Sequence, residues 1–140
     1  MKIYHAKRKG LIHYIFVMLI CLPLLIFLLT PHTFVEQPLY LIPLVLPLFL
    51  LIWVYIDTFY EIDGNKFKYH SAFLRGEIEI SKIREIVKEK TLYIGIKPAL
   101  AGKGLIIRHE NYHEIYVAPE NNDLLIADLL KLNSAIQVTE

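Results

Sequence analysis

The sequence has little cysteine and, along one third of its length, almost no charge. Because Cys21 is the single cysteine, the chain has no second cysteine for an intrachain disulfide or for a cysteine-based zinc site. From Leu11 to Ile56 there is no lysine or arginine and only one acid, Glu36. The part from Asp57 onward has 11 basic and 13 acidic residues, so it lacks the basic face that a nucleic acid partner requires. We therefore expect an apolar part, a small soluble part and no nucleic acid partner.

Two apolar runs in the uncharged part have the length of membrane-spanning helices. Residues 11–29 would extend about 28 Å as a helix, and residues 39–56 form a second run after a short loop. The first run is too long for the apolar part of a signal peptide, and no small-residue cleavage site follows it. The sequence thus predicts a transmembrane hairpin over residues 11–56, with kinks at Pro23, Pro43 and Pro47.

Basic residues predict the orientation of this hairpin. Residues 1–10 contain four of them, and the loop of residues 30–38 contains none. The positive-inside rule then places both termini and a soluble domain, residues 57–140, on the cytoplasmic side of the inner membrane. The lipid bilayer is therefore one expected partner. Six basic residues are candidates for a surface facing anionic headgroups, although topology alone also explains them: Lys7, Arg8, Lys9, Lys66, Lys68 and Arg75.

The soluble part has the pattern of strands followed by one helix. Residues 58–62 and 66–70 flank a hairpin turn at Asp63-Gly64-Asn65, and residues 73–76 are expected to form the next turn. Further strands are predicted at residues 77–80, 105–109 and 114–118, and another strand is predicted to pass through residues 86 and 87. Residues 91–104 are expected to form an irregular connection. From Asp123 onward a helix has one apolar side, formed by Leu125, Ile126, Leu129, Leu130 and Leu132. The predicted fold is α+β, with about six antiparallel strands and one C-terminal helix.

Several stretches of the soluble part resemble a bacterial pleckstrin-homology (PH) domain of the type that follows one or two transmembrane helices. They are Tyr60-Glu61-Ile62-Asp63-Gly64, Gly76 to Ile86, Pro98-Ala99-Leu100-Ala101 with Leu105 to Arg108, Ile115 to Pro119, and Leu132 to Val138. The resemblance implies an antiparallel half-barrel sheet closed by the C-terminal helix, and a non-enzymatic role. Relatives commonly have serine where Ala101 and Ala118 stand, so a helix N-cap hydroxyl is missing at Ala118. Phosphoinositide-binding PH domains have a basic first hairpin, whereas this loop has only Lys66 beside Asp63.

Side chains with catalytic or metal-binding potential are scattered. Ser71 and Ser81 have no adjacent base, and Gly102-Lys103-Gly104 lacks the rest of a phosphate loop. His109 and His113 flank a turn and have no cysteine beside them. We therefore expect no catalytic residue, cofactor or metal. His13, inside the first apolar run, has two interpretations, a transport or proton-relay group and an imidazole that reaches the interface.

Two functions remain compatible with this sequence. One is a membrane-anchored interaction module that binds a protein partner at the cytoplasmic membrane face, with Arg108 and Tyr112 as the candidate surface. Tyr112 is singled out because it is a large aromatic residue at a turn that does not need one for folding. The alternative is a membrane-active immunity or envelope-stress protein, whose transmembrane hairpin recognises a peptide, a lipid or a transporter subunit.

Overall fold

Two apolar helices form the first part of the molecule. A computed structural model describes residues 1–92 and 95–140. Helix α1 (Leu11–Leu29) leads through α2 (Pro31–Glu36) and a 3-10 turn (Pro38–Leu41) into α3 (Ile42–Asp57). The segments Leu11–Leu29 and Pro38–Asp57 have mean hydropathies of 2.7 and 2.5, and each is long and apolar enough to cross a membrane. Pro43 lies in the first turn of α3, where no internal hydrogen bond is lost, and Pro23 and Pro47 lie inside α1 and α3, which continue through them.

The remainder is a strand-rich domain with a C-terminal helix, so the predicted α+β fold is confirmed. The described residues form two four-stranded sheets, with strand orders β1-β2-β3-β4 and β7-β6-β5-β8. Neighbouring strands are antiparallel except β5 and β8. The strands are β1 (Lys2–His5), β2 (Phe59–Asp63), β3 (Lys66–Ser71), β4 (Leu74–Glu79), β5 (Ile83–Lys90), β6 (Gly104–His109), β7 (His113–Val117) and β8 (Gln137–Thr139), and the helix is α4 (Asn122–Leu132).

Strand β1 was not predicted from the sequence. It pairs with β2, placing Tyr4 opposite Tyr60, and Tyr4 is buried. The first residues of the chain are therefore part of the first sheet rather than a separate basic tail. A run of four residues with one inward side chain is too short for its periodicity to indicate a strand.

The hydrophobic core lies between the two sheets and α4. Leu125, Ile126 and Leu129 of α4 are buried, as predicted, and Leu130 is half-buried. Leu132 is 49% exposed, which corrects its assignment to the buried face. It is the last residue of α4 and lies outside the hydrophobic core that Leu125, Ile126 and Leu129 join.

The start of α4 also differs from the expectation. Its N-cap is Asn121, whose side-chain oxygen accepts a hydrogen bond from the Leu124 N–H at 3.0 Å. Ala118 is fully buried and precedes the cap by three residues. No capping hydroxyl is therefore missing at Ala118.

The first hairpin forms where it was predicted, although Asp63 belongs to β2 rather than to the turn, and the next turn is shifted. Asp63 pairs with Lys66 across the Gly64-Asn65 turn. The following turn is Ala72-Phe73, and β4 begins directly after it. Gly76, expected in that turn, lies inside β4 opposite Tyr69, whose hydroxyl oxygen is 2.2 Å from where a Cβ would be. Glycine at this position makes room for a tyrosine ring rather than for a bend.

Candidate functional site

The junction between the apolar helices and the sheets is a single residue, Thr58. Its hydroxyl donates a hydrogen bond to the Val54 carbonyl of α3 at 2.5 Å and lies 2.9 Å from Ser71 Oγ in β3. Thr58 is fully buried. The helix end and the first hairpin are thus joined by side-chain hydrogen bonds as well as by the chain, which leaves no flexible linker between them.

Arg8 makes a second connection at the same junction. Its guanidinium carbon lies 5.0 Å from the centroid of the Tyr55 ring, and its Nη2 donates to the Ile56 carbonyl at 3.4 Å. The edge of the Phe16 ring of α1 packs against Tyr55, with centroids 5.3 Å apart. The segment before α1, α1 itself and the end of α3 therefore meet at one place.

A basic groove lies beside this junction. It has a volume of about 580 Å³ and is lined by Lys7, Arg8, Lys9, His13 and Glu120. The backbone there is held by hydrogen bonds from Lys7 N to the Ala118 carbonyl at 2.7 Å and from Glu120 N to the His5 carbonyl at 2.9 Å. Lys7, Arg8 and Lys9 form no ion pair with any acid in residues 1–92 or 95–140.

The other three basic residues singled out from the sequence are elsewhere and are paired. Lys66 binds Glu77 at 2.6 Å, Lys68 binds Asp63 at 2.7 Å, and Arg75 binds Asp57 at 2.9 Å. Lys66 lies opposite Asp63 at the end of β2. Asp63 is four residues along β2 from Phe59, the residue after the junction, so Lys66 is about 13 Å from the junction end of the strand. The six residues therefore do not form one surface. Arg75 lies near the junction, and Lys66 is at the far end of the sheet.

The turn between β6 and β7 is on the side of the domain away from the helices. The other end of this hairpin continues into Ala118 and Pro119, which contact residues 6 and 7 near the junction. At the turn, Tyr112 is 95% exposed, and the rings of His109 and His113 stack with centroids 5.6 Å apart. Partial burial lowers the pKa of His109 below its usual value. We refer to residues 109–113 as the distal turn.

Arg108 lies next to this turn in sequence but is occupied by the sheet. Its Nη1 donates to Glu85 at 2.7 Å, and its Nε donates to Glu114 at 2.7 Å. The Thr139 hydroxyl donates to the other oxygen of Glu85. Thr139 and Arg108 together lower the pKa of Glu85. Arg108 thus links β6 to β5 and β7, and Thr139 links β8 to the same Glu85, whereas the Tyr112 side chain is exposed.

Two tyrosine hydroxyls were missed by sequence reasoning. Tyr60 is fully buried, donates to the Pro98 carbonyl at 2.6 Å and accepts from the Ala118 N–H at 3.0 Å. Tyr116 donates to the Ala101 carbonyl at 2.8 Å. Burial raises the pKa of both phenols. At Ala101 and Ala118 the backbone makes the polar contacts, so a serine hydroxyl is not needed for them.

Among residues 1–92 and 95–140, no group of three or more histidine, cysteine, aspartate or glutamate side chains is arranged to hold a metal ion. His109 and His113 stack on each other, and a carboxylate oxygen of Glu110 lies 3.5 Å from His113 Nδ1. The distal turn therefore presents an exposed tyrosine beside two stacked imidazole rings.

Comparison with known proteins agrees with this architecture. The model of the bacterial PH domain family matches residues 58–133, from the junction residue Thr58 to the end of α4. No curated protein and no solved structure matches the chain. The matched segment comprises β2 to β7 and α4 and covers more than half of the 140 residues. The chain belongs to the bacterial PH domain family.

Proposed function

We propose that this protein is a membrane-anchored PH module that binds a protein partner at the cytoplasmic face of the inner membrane. PH domains are in general non-catalytic interaction modules. The observation that carries the proposal is the junction at Thr58, because a domain joined to its anchor by one buried residue is presented in a fixed orientation. Such anchoring raises the effective concentration of the domain for other membrane partners.

The anchor is the pair α1 and α3. Their apolar side chains are mostly exposed, among them Leu28, Leu29, Phe49 and Ile56. Exposed apolar area costs about 25 cal/mol per Å² in water, and a bilayer removes that cost. The basic residues before α1 and the absence of any in the connecting segment orient both termini toward the cytoplasm.

The distal turn is the proposed contact surface for the protein partner. It lies at the end of the domain that this orientation directs away from the bilayer. Exposed tyrosines of this kind bury a large area at low entropic cost, and tyrosine is enriched at protein interfaces. Arg108, predicted as part of this surface, has a half-exposed side chain beside the distal turn, but Glu85 and Glu114 already bind its guanidinium, so Tyr112 is the residue to test first.

Cross-linking and affinity capture from native membranes tests the proposal. Tyr112→Ala should reduce the yield of the captured partner without lowering the melting temperature. Phe73→Ala is the matched control, because Phe73 is also an exposed aromatic at a turn, 79% exposed, but lies at the membrane end of the sheet. Equal capture by both variants would contradict the distal turn as the contact surface, and turnover of a small substrate by purified protein would contradict a binding role.

Replacing α1 and α3 with an unrelated two-helix anchor distinguishes this function from the membrane-active alternative. A binding module should keep its partner after the exchange. Loss of capture in a chain that still folds and reaches the membrane would instead indicate that the hairpin itself recognises a peptide, a lipid or a transporter subunit.

A further inference from the structure

We propose that the basic groove at the junction binds the phosphate of an anionic phospholipid headgroup. The inference rests on the proposed membrane anchoring and adds a ligand at the membrane end of the domain. The groove is formed by Lys7, Arg8 and Lys9 before α1, His13 in the first turns of α1, and Glu120 before α4. It lies across the domain from the first hairpin loop at Gly64-Asn65 and is a different site from that loop.

The charge of the groove favours an anion. Three cations face one acid, Glu120, in its lining, and none of the three is neutralised by an ion pair with a described residue. Six basic side chains elsewhere in the domain each bind an acid: Lys66, Lys68, Arg75, Lys82, Lys88 and Arg108. Clustered cations repel one another at close range, so a phosphate among them removes an unfavourable interaction.

Arg8 adds a hydrogen-bonding argument. Its Nε is buried and has no acceptor within residues 1–92 and 95–140. The same guanidinium is held in place by Tyr55 and by the Ile56 carbonyl. A fixed guanidinium matches phosphate oxygens in geometry and forms strong charge-assisted hydrogen bonds with them.

The backbone around the cations is ordered before any ligand arrives. Ala6 is fully buried and pairs with Pro119, and Lys7 is bonded through its backbone to Ala118. The basic run is therefore attached to the sheet domain on one side and to α1 on the other. A preorganised site loses less entropy on binding than a mobile basic tail.

The position of the groove selects a lipid as the source of the phosphate. Lys9 precedes the first residue of α1, Leu11, by only two positions. Arg8 touches Tyr55 and Ile56 at the end of α3, so both ends of the anchor border the groove. The ends of membrane-spanning helices lie at headgroup level.

Lipid titration of the full chain in zwitterionic micelles tests this site. Phosphatidylglycerol, phosphatidylcholine and inorganic phosphate are added separately, and the rise in melting temperature gives an apparent dissociation constant. We expect phosphatidylglycerol to stabilise the chain, and phosphatidylcholine and inorganic phosphate to have little effect. Lys7→Gln with Lys9→Gln should weaken the response to phosphatidylglycerol by about tenfold or more.

Lys66→Gln with Lys68→Gln is the matched control, since it removes the same charge from the far end of the sheet. An equal loss in both double variants would overturn the site in favour of general electrostatic attraction. An equal response to inorganic phosphate would overturn the lipid assignment. Alkaline extraction of native membranes tests the anchor separately from the groove. Release of the wild-type chain would contradict the proposed anchor. If both double variants stay in the membrane, a difference in their response to phosphatidylglycerol reports on the groove alone.

Discussion

The hydroxyl of Tyr4 donates a hydrogen bond to the carboxylate of Asp128, with 2.6 Å between Oη and Oδ2. Lys2 binds the same carboxylate oxygen, and Lys131 binds the other one. This contact joins the first strand of the chain to its last helix. The residues before α1 therefore belong to the same domain, although the family match begins only at Thr58.

Deletion of residues 2–5 should lower the stability of the full chain. The loss includes the burial of Tyr4, about 2 kcal/mol, together with the pairing of β1 to β2. Deletion of residues 137–139, which removes a strand of exposed residues, is the control and should cost less. Thermal unfolding in micelles measures both. If the two deletions had the same effect, β1 would not be a structural part of the domain.

Asp128 should make stability depend on pH in the acid range. Hydrogen bonds from Lys2, Tyr4 and Lys131 lower its pKa in the folded protein. The ionised form therefore stabilises the fold above the unfolded value of about 4, and this contribution is lost as pH falls below it. Asp128→Asn should be less stable than wild type at neutral pH, with a difference that shrinks in acid. A difference for Asp128→Asn that stays constant with pH would contradict this linkage.

Tyr60→Phe should destabilise the protein by about 1–3 kcal/mol, because it leaves the buried Ala118 N–H and Pro98 carbonyl without their partner. Tyr112→Phe removes the same hydroxyl from an exposed ring and should change stability by less than about 0.5 kcal/mol. Urea unfolding followed by circular dichroism compares them. Equal midpoints would mean that the Tyr60 hydroxyl contributes nothing to the fold.

Leu129→Ala should cost about 2–5 kcal/mol, because its side chain is fully buried beneath the sheets. Leu132→Ala, three residues later on the same helix, should cost far less, since half of that side chain is exposed. The same unfolding assay applies. A larger loss for Leu132→Ala would contradict the packing of α4.

Reporter fusions should place both termini in the cytoplasm. A green fluorescent protein fused at Glu140 should fluoresce, and alkaline phosphatase fused there should be inactive. Alkaline phosphatase inserted after Pro31, in the segment between α1 and α3, should be active. Activity at Glu140 would mean that the orientation is reversed.

The sequence by itself determined the elements whose pattern is local. Charge depletion over residues 11–56 indicated the two apolar helices, alternation in Lys66 to His70 indicated a strand, and Leu125, Ile126 and Leu129 indicated the buried side of α4. The strand and α4 signals repeat with the period of the element that they form, and the apolar runs are recognised by their length. The order of these elements also carried the resemblance to the PH family, which the family match confirms.

Only the tertiary structure decided which distant residues meet. Strand β1 has no recognisable period and is a strand because β2 and Asp128 lie beside it. The basic residues differ for the same reason. Lys66 and Lys68 have acids across a strand or turn, and Arg75 has Asp57 at the end of α3. Lys7, Arg8 and Lys9 instead border a groove built from two distant parts of the chain, residues 7–13 and Glu120. Charge is a property of each residue, but its neutralisation depends on neighbours that folding brings within a few ångströms.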